Sequence, residues 1–173
     1  IRGLAIISVA YAHSLSFSNL FLCDVSSLIG IIGVPCFLIA SGYYYRKQEW
    51  KDFISRKIIC IVVPWLIWGS VCYLISCLAV RNGISIVHYL QYILGYGTWL
   101  YYVPVYLVIT SLFNFIDNRY FLILSLLISF CSCILTYYYI DEYSIITPYQ
   151  NPLNWCGFYA LGILLKLVRI EKW

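Results

Sequence analysis

The sequence predicts an all-α membrane protein, a polytopic bundle of about six transmembrane helices with one short interfacial helix. Three observations lead to this prediction. The chain of 173 residues is 63% hydrophobic and only 10% charged, whereas soluble domains carry about 25% charged residues. Its apolar residues fall into stretches of about 17–23 residues, the length that crosses a bilayer. Its basic residues lie almost entirely on one side of these stretches.

The predicted spans follow one another without linkers, repeats or low-complexity segments, so we expect a single transmembrane domain over residues 1–173. The spans cover residues 3–22, 25–45, 58–80, 98–116, 121–140 and 152–168. Pro35, Pro64 and Pro104 fall inside predicted spans, where each removes a backbone hydrogen bond and favours a kink. The sequence contains no methionine, and we therefore expect it to be a piece of a longer protein.

The distribution of basic residues predicts the orientation in the membrane. Of the 11 Lys and Arg residues, all but Arg81 lie on one side of the spans: Arg2, Arg46, Lys47, Lys51, Arg56, Lys57, Arg119, Lys166, Arg169 and Lys172. The positive-inside rule places that side, and both termini, in the cytoplasm. The net charge of +4, distributed in this way, indicates the lipid bilayer as a partner and gives no support to a nucleic-acid partner.

Residues 84–96 differ from the predicted spans, because His88, Gln91 and Gly95 recur at intervals of three and four among apolar residues. This pattern is typical of a short amphipathic helix, and we place it at the outer interface after the Asn82–Gly83 turn. His88 then lies at the interface and is a weak candidate for substrate contact. Tyr43–Tyr45 ends the second span on the inner side of the membrane and Tyr137–Tyr139 ends the fifth on the outer side, and both fit the aromatic belts of membrane proteins.

The 8 cysteines do not indicate a disulfide or zinc framework. Most lie inside apolar stretches, where cysteine behaves as a small hydrophobic residue. There is no C-x-x-C pair, and the two histidines are not spaced as zinc ligands. The sequence therefore predicts no metal site. It also lacks a P-loop and the G-x-S-x-G pattern that surrounds the nucleophilic serine of α/β-hydrolases.

His13 is the leading candidate for a functional residue. It follows Arg2 by eleven residues, which is about three helical turns, so the two share one face of the first span about 16 Å apart. Arg2 then lies at the water boundary and His13 near the bilayer midplane. An ionisable group at that depth indicates function by default. The alternative is a neutral histidine that hydrogen-bonds a neighbouring helix.

The second span contains a further motif, Phe37, Ser41 and Gly42. Phe37 and Ser41 are four residues apart and share a helix face. Ser41 and Gly42 are small enough for another helix to approach closely, so plain packing is the alternative to a binding role.

Together these segments resemble the acyltransferase-3 family of integral membrane O-acyltransferases. The family opens its first helix with a basic residue, ten residues and a histidine, here Arg2 and His13. Its second helix carries F-x-x-x-S-G, here Phe37 to Gly42. A basic run, here Ser55–Lys57, then leads to a third helix with an early proline, Pro64. Members often have a second arginine where this chain has Cys60, and Arg56 is the candidate substitute.

The resemblance continues through the rest of the chain. Residues 98–104, with Trp99 and Tyr101, look like the family's Trp-Tyr/Phe-Leu stretch, in a register uncertain by two residues. Residues 156–166 look like its glycine-bearing helix. The resemblance covers about the first six of some ten family helices. It therefore implies that residues 1–173 are the N-terminal portion of a larger acyltransferase domain.

The resemblance implies transfer of an acyl group, acetyl in our expectation, from acyl-CoA to a hydroxyl of a cell-envelope glycan or related sugar acceptor, in the bacterial plasma membrane. His13 is the candidate general base, and the alternative is that it carries the acyl group as a nucleophile. No permanently bound cofactor is implied. The candidate substrate-binding residues are Arg2, Phe37, Ser41, Gly42, Arg46, Arg56, Lys57, Trp99 and Tyr101.

Two alternatives remain open. The basic residues of 46–57 either bind the phosphates of CoA or serve only to orient the chain in the membrane. The whole chain could also be half of a transporter or a polysaccharide-export component without catalysis. A carrier would be expected to place polar groups on several spans, whereas His13 is the single strongly polar intramembrane group that we identify from the sequence.

Overall fold

The computed structural model describes residues 20–80, 83–96, 98–116, 118–139 and 148–170, with the backbone alone over 20–31, and every regular element within these ranges is a helix. The predicted all-α class is confirmed. In chain order the elements are α1 (Leu20–Tyr43), α2 (Trp50–Lys57), a π-helical segment (Ile58–Val62), α3 (Val63–Val80), α4 (Ile86–Leu94), a 3-10 helix (Trp99–Tyr101), α5 (Tyr102–Phe115), α6 (Arg119–Tyr139), a second 3-10 helix (Pro148–Gln150) and α7 (Pro152–Ile170).

The chain divides into two compact units. Among the described residues, the first unit contains α1, α6 and α7. Leu38 and Ala160 are fully buried in it. The second unit contains α2 to α5. Ile109 and Phe113 of α5 are its most deeply buried apolar side chains.

The boundary between the first two predicted spans is wrong. We placed it at residues 23–24, but α1 runs without interruption from Leu20 to Tyr43. Asp24 lowers the local hydropathy, yet residues 20–26 contain no glycine or proline to end a helix. A dip in hydropathy was therefore mistaken for a break in the backbone.

The three prolines lie in different local structures. Pro35 lies inside α1. Pro64 is the second residue of α3, just after the π-helical segment, and the N–H of Val63 before it donates to the carbonyl of Ile58, five residues back. This wider turn is one of the local adjustments by which a helix accommodates proline. Pro104 is in the first turn of α5, where the missing N–H costs little. The predicted kink inside a span is therefore not required at Pro104.

Two of the described helices are long and apolar enough to cross a membrane, Trp50–Ala79 and Arg119–Tyr138. Ile32–Tyr43 and Tyr102–Phe115 are apolar but shorter. Large apolar side chains along α3 and α6 are exposed, among them Trp68 at 67%, Leu78 at 80% and Phe130 at 67%. Apolar surface on this scale is unfavourable in water and expected against lipid. These helices indicate an integral membrane protein, and the count of about six spans stays a prediction.

Candidate functional site

The first predicted pair, Arg2 and His13, lies outside the described residues. The second predicted motif, Phe37 to Gly42, lies in α1. Ser41 is buried, with 6% of its surface exposed, and Phe37 is half-buried one turn earlier. Both predicted positions lie in the C-terminal half of α1, as the sequence indicated.

Gly42 lies where α1 and α7 touch backbone to backbone. A Cβ atom at Gly42 would overlap the carbonyl oxygen of Tyr159 and lie 3.3 Å from the Cα of Gly162. A Cβ atom at Gly162 would in turn overlap the carbonyl oxygen of Ile39. Small residues at such crossings are the usual means of close helix association in membranes. The packing interpretation of Gly42 is therefore supported, and its role in substrate binding stays a prediction.

Two basic side chains of α7 hold the end of α1. The Nζ of Lys166 donates to the carbonyl oxygen of Tyr45 at 2.7 Å, and a guanidinium nitrogen of Arg169 donates to the hydroxyl of Tyr43 at 2.9 Å. The Tyr45 ring lies edge-on to Tyr159, with centroids 6.2 Å apart. Cations near a helix C-terminus interact favourably with its carbonyl end. Both basic residues, predicted from topology alone, therefore also have structural partners.

The basic segment 46–57, which lies between the second and third predicted spans, is mostly helical, since α2 begins at Trp50. Arg46, Lys51 and Arg56 are exposed, whereas Lys57 is half-buried. The Nζ of Lys57 lies 4.4 Å from the centroid of the Tyr106 ring and 5.3 Å from that of Phe53. These are cation–π distances. Lys57 is thus held between two rings, while Arg46 and Arg56 remain accessible to an anionic ligand.

Asn114, which the sequence analysis missed, fixes the chain just before α2. Its Oδ1 accepts from the backbone N–H of Gln48 at 3.0 Å, and its Nδ2 donates to the carbonyl of Gln48 at 3.2 Å. Asn114 is 5% exposed, so both amide atoms satisfy backbone groups away from water. The pair ties the entrance of the basic helix α2 to the end of α5.

Asn154 is a second buried amide, in the first turn of α7. Its carbonyl oxygen accepts from the hydroxyl of Ser129 at 2.9 Å, and its side chain hydrogen-bonds the hydroxyls of Ser132 and Thr136 on α6. Such hydrogen bonds join helices in a membrane. The expectation that His13 is the single strongly polar group within the spans is therefore wrong. Asn114 and Asn154 were overlooked, because the sequence argument considered ionisable residues and an asparagine amide carries no charge.

Trp99 and Tyr101 lie in the 3-10 helix that leads into α5. Gly95 precedes it with a φ of 89°, a left-handed conformation that glycine adopts without strain. A Cβ at Gly95 would overlap the backbone of Tyr101, so the turn brings Tyr101 against the end of α4. The Tyr101 ring lies 5.9 Å from that of Tyr149. The structure thus places Tyr101 in an aromatic contact of the second unit.

The short helix predicted within residues 84–96 is present as α4, Ile86–Leu94, with apolar residues exposed along one face, among them Ile86, Val87 and Leu90, and its place at the outer interface stays a prediction. A groove of about 260 Å³ lies between α3 and α4, lined by Tyr73, Ser76, His88, Gln91, Tyr92 and Tyr96, among others. His88 therefore lines a groove. Its contact with substrate, for which the sequence made it only a weak candidate, stays a prediction. Among the described residues, no group of three or more His, Cys, Asp or Glu side chains could hold a metal ion.

Comparison with known proteins identifies the family. A family model described as an acyltransferase domain matches residues 1–172. No curated protein and no solved structure matches the chain. The matched range includes the Arg2–His13 and Phe37–Gly42 motifs together with α2 and α7. Since the match extends over almost every residue, this chain belongs to the acyltransferase-3 family, and the protein is an acyltransferase.

Proposed function

We propose that this acyltransferase is a membrane-bound O-acyltransferase of the bacterial plasma membrane. It moves an acetyl group from acetyl-CoA to a hydroxyl of a cell-envelope glycan or lipid-linked sugar. The observation that carries the proposal is the family match over residues 1–172. The exposed apolar helices α3 and α6 support a membrane location. In this proposal the termini and the basic segment 46–57 face the cytoplasm, where acetyl-CoA is available.

The donor side of the proposal rests on the exposed cations around α2. Arg46, Lys51 and Arg56 are exposed, and guanidinium groups are well suited to bidentate contact with phosphates. Lys57 is engaged by Tyr106 and Phe53, so we assign it a structural role and favour Arg56 as the phosphate ligand. Asn114 supports this arrangement indirectly, because it fixes Gln48 at the entrance to α2.

The transfer step that we propose uses His13 as general base. The acceptor hydroxyl oxygen attacks the thioester carbonyl carbon, and His13 takes the hydroxyl proton. The carbon–sulfur bond then breaks, and the CoA sulfur leaves with a proton returned from the imidazolium. The neutral imidazole is the form that can accept this proton. In the alternative, the imidazole itself attacks the thioester and carries the acetyl group before the hydroxyl attacks.

His13→Asn tests the proposal, since asparagine keeps a polar side chain but cannot act as a base. Transfer of radiolabelled acetyl from acetyl-CoA to envelope glycan should fall about 100-fold or more, while abundance and membrane insertion stay at the wild-type level. Activity within about tenfold of wild type would contradict the general-base role. In the wild type, kcat/KM should rise with pH through the neutral range, as a histidine loses its proton.

A reaction without acceptor distinguishes the general-base role of His13 from the acyl-carrier role. Label that stays bound to wild-type protein after a single turnover, and is absent from His13→Asn, would show an acyl carrier. A base leaves the protein unlabelled. Complete absence of transfer by wild-type protein, with glycan transported instead, would favour the transporter or export interpretation.

A further inference from the structure

The groove between α3 and α4 has no part in the donor chemistry described above. Its volume is about 260 Å³, slightly below the range of about 300–1,000 Å³ usual for small-molecule pockets. This is space for one ring-sized ligand rather than for an extended chain. The charge distribution predicts that α4 lies on the outer side of the membrane, where an envelope glycan would arrive.

Hydrogen bonds hold the rings of the groove in place. The hydroxyl of Tyr73 donates to the carbonyl of Ser85 at 2.9 Å and accepts from the N–H of Ser85 at 3.2 Å, directly before α4. The Tyr92 ring packs edge-on against Tyr73, with centroids 5.6 Å apart. At the other end of α4, the hydroxyl of Thr98 donates to the carbonyl of Tyr92 at 3.1 Å. The walls are therefore preorganised, which reduces the entropic cost of binding.

The lining combines aromatic rings with neutral hydrogen-bonding groups. Tyr92 and Tyr96 supply ring surface, and Tyr96 is 40% exposed. His88 and Gln91 are one turn apart on α4 and exposed at the groove, so their donors and acceptors face the same ligand. Among the residues that the structure describes, the groove is lined by neutral tyrosine, serine, cysteine, glycine, glutamine and histidine positions, with no Asp, Glu, Lys or Arg. This described lining suits a neutral, hydroxyl-rich ligand.

We propose that this groove binds one neutral sugar ring of the acceptor, an inference that rests on the proposed function. A pyranose presents apolar C–H faces, which pack on aromatic rings, and a rim of hydroxyls, which exchange hydrogen bonds with amide, imidazole and phenol groups. His88 and Gln91 read the hydroxyls, while Tyr92 and Tyr96 contact the ring. The groove thus selects the acceptor and takes no part in acyl transfer itself.

The test uses the protein reconstituted in lipid nanodiscs, with methyl glycosides of glucose, galactose and N-acetylglucosamine as probes and methyl glucuronide as the anionic comparison. Two measurements are made: the kinetics of acetyl transfer from acetyl-CoA, and glycoside binding by saturation-transfer NMR without acetyl-CoA. The variants are His88→Ala and Gln91→Ala. Leu90→Ala is the matched control, because Leu90 is an exposed residue of α4 outside the groove lining.

We expect the groove variants to raise KM for the best glycoside at least tenfold, which corresponds to about 1.4 kcal/mol. The kcat and the KM for acetyl-CoA should stay within twofold of the Leu90→Ala values, and methyl glucuronide should bind more weakly than the neutral glycosides. Unchanged glycoside KM and NMR signal in both variants would overturn the groove assignment and leave the proposed function intact.

The binding measurement separates the two proposals when no transfer is seen. Glycoside binding that is lost in His88→Ala and Gln91→Ala would support the groove even if wild-type protein transferred no acetyl group, and the proposed function alone would then fail. Absence of neutral glycoside binding to the wild type would overturn the groove proposal.

Discussion

The two units of this protein pack their helices in opposite ways. In the first unit, Gly42 and Gly162 let α1 and α7 meet backbone to backbone, and hydroxyls on α6 bind Asn154 of α7. In the second unit, α3 meets α4 through Tyr73, Tyr89 and Tyr92, and a groove remains beside these rings. Small residues with a buried amide close an interface, whereas tyrosines packed edge-on leave a groove with room for a ligand beside them.

This contrast predicts its largest effect at Gly162. In Gly162→Val the new side chain must displace the carbonyl of Ile39 and the N–H of Tyr43, and backbone cannot shift as a flexible side chain can. We expect a loss of about 3 kcal/mol or more in the free energy of unfolding, measured by thermal unfolding in detergent micelles. Gly83→Ala is the control, since a Cβ there meets nothing within 4 Å. Equal stability of the two variants would show that α1 and α7 are not in close contact.

The interface of α6 with α7 is filled, whereas the interface of α3 with α4 leaves a groove, and one serine in each tests this difference. Ser129 is 5% exposed and lies against Gly157, whereas Ser76 is half-buried and lines the groove. Ser129→Leu should cost about 1–3 kcal/mol, because added volume strains a filled interface. Ser76→Leu should be close to neutral, since its side chain can enter the groove. Chemical unfolding of both variants provides the measurement, and a cost at Ser76 as large as that at Ser129 would remove the distinction between the two regions.

We expect a smaller loss of stability at Asn154, the buried amide between α6 and α7. Asn154→Leu removes the side-chain partner of Ser132 and Thr136. Hydrogen bonds between membrane helices contribute about 1–2 kcal/mol in model peptides and less in whole proteins, so we expect a loss of about 1 kcal/mol. A double-mutant cycle with Ser132→Ala measures the coupling. Additive losses would mean that the two side chains act independently and that glycine packing alone closes α7 onto its neighbours.

The sequence allowed the helical class, the membrane location, the short helix α4 and the family to be predicted, because these depend on hydropathy, periodicity and motif spacing. It failed where a property is local to the backbone or depends on a distant partner. The break expected at Asp24 is absent, since low hydropathy does not end a helix without glycine or proline. Asn114 and Asn154 were missed, because what marks them is burial against Gln48 and Ser132, which no local pattern reveals. Arg2 and His13 keep their roles as predictions.

The smallest expected change in stability concerns Lys57, where aromatic packing in the second unit holds a cation. Tyr106 and Phe53 both lie within cation–π distance of its Nζ. Because Lys57 is still partly exposed, we expect a contribution at the lower end of the cation–π range, about 0.5–1 kcal/mol. Lys57→Gln should therefore lower the free energy of unfolding by about that amount. Arg56→Gln should leave stability nearly unchanged, because Arg56 is exposed.

For KM of acetyl-CoA we expect the opposite order, with the larger effect in Arg56→Gln and the smaller in Lys57→Gln. If Arg56 binds a phosphate of CoA, Arg56→Gln removes a charge-assisted hydrogen bond of about 1.5–3 kcal/mol and raises KM for acetyl-CoA about tenfold or more. The rise for Lys57→Gln should be smaller. Acetyl-dephospho-CoA sharpens the test: loss of the 3′-phosphate should weaken binding to wild-type protein but add little to the Arg56→Gln defect if the two groups are partners. A larger KM effect at Lys57 than at Arg56 would mean that the rings of Tyr106 and Phe53 position the lysine for the ligand instead of withdrawing it.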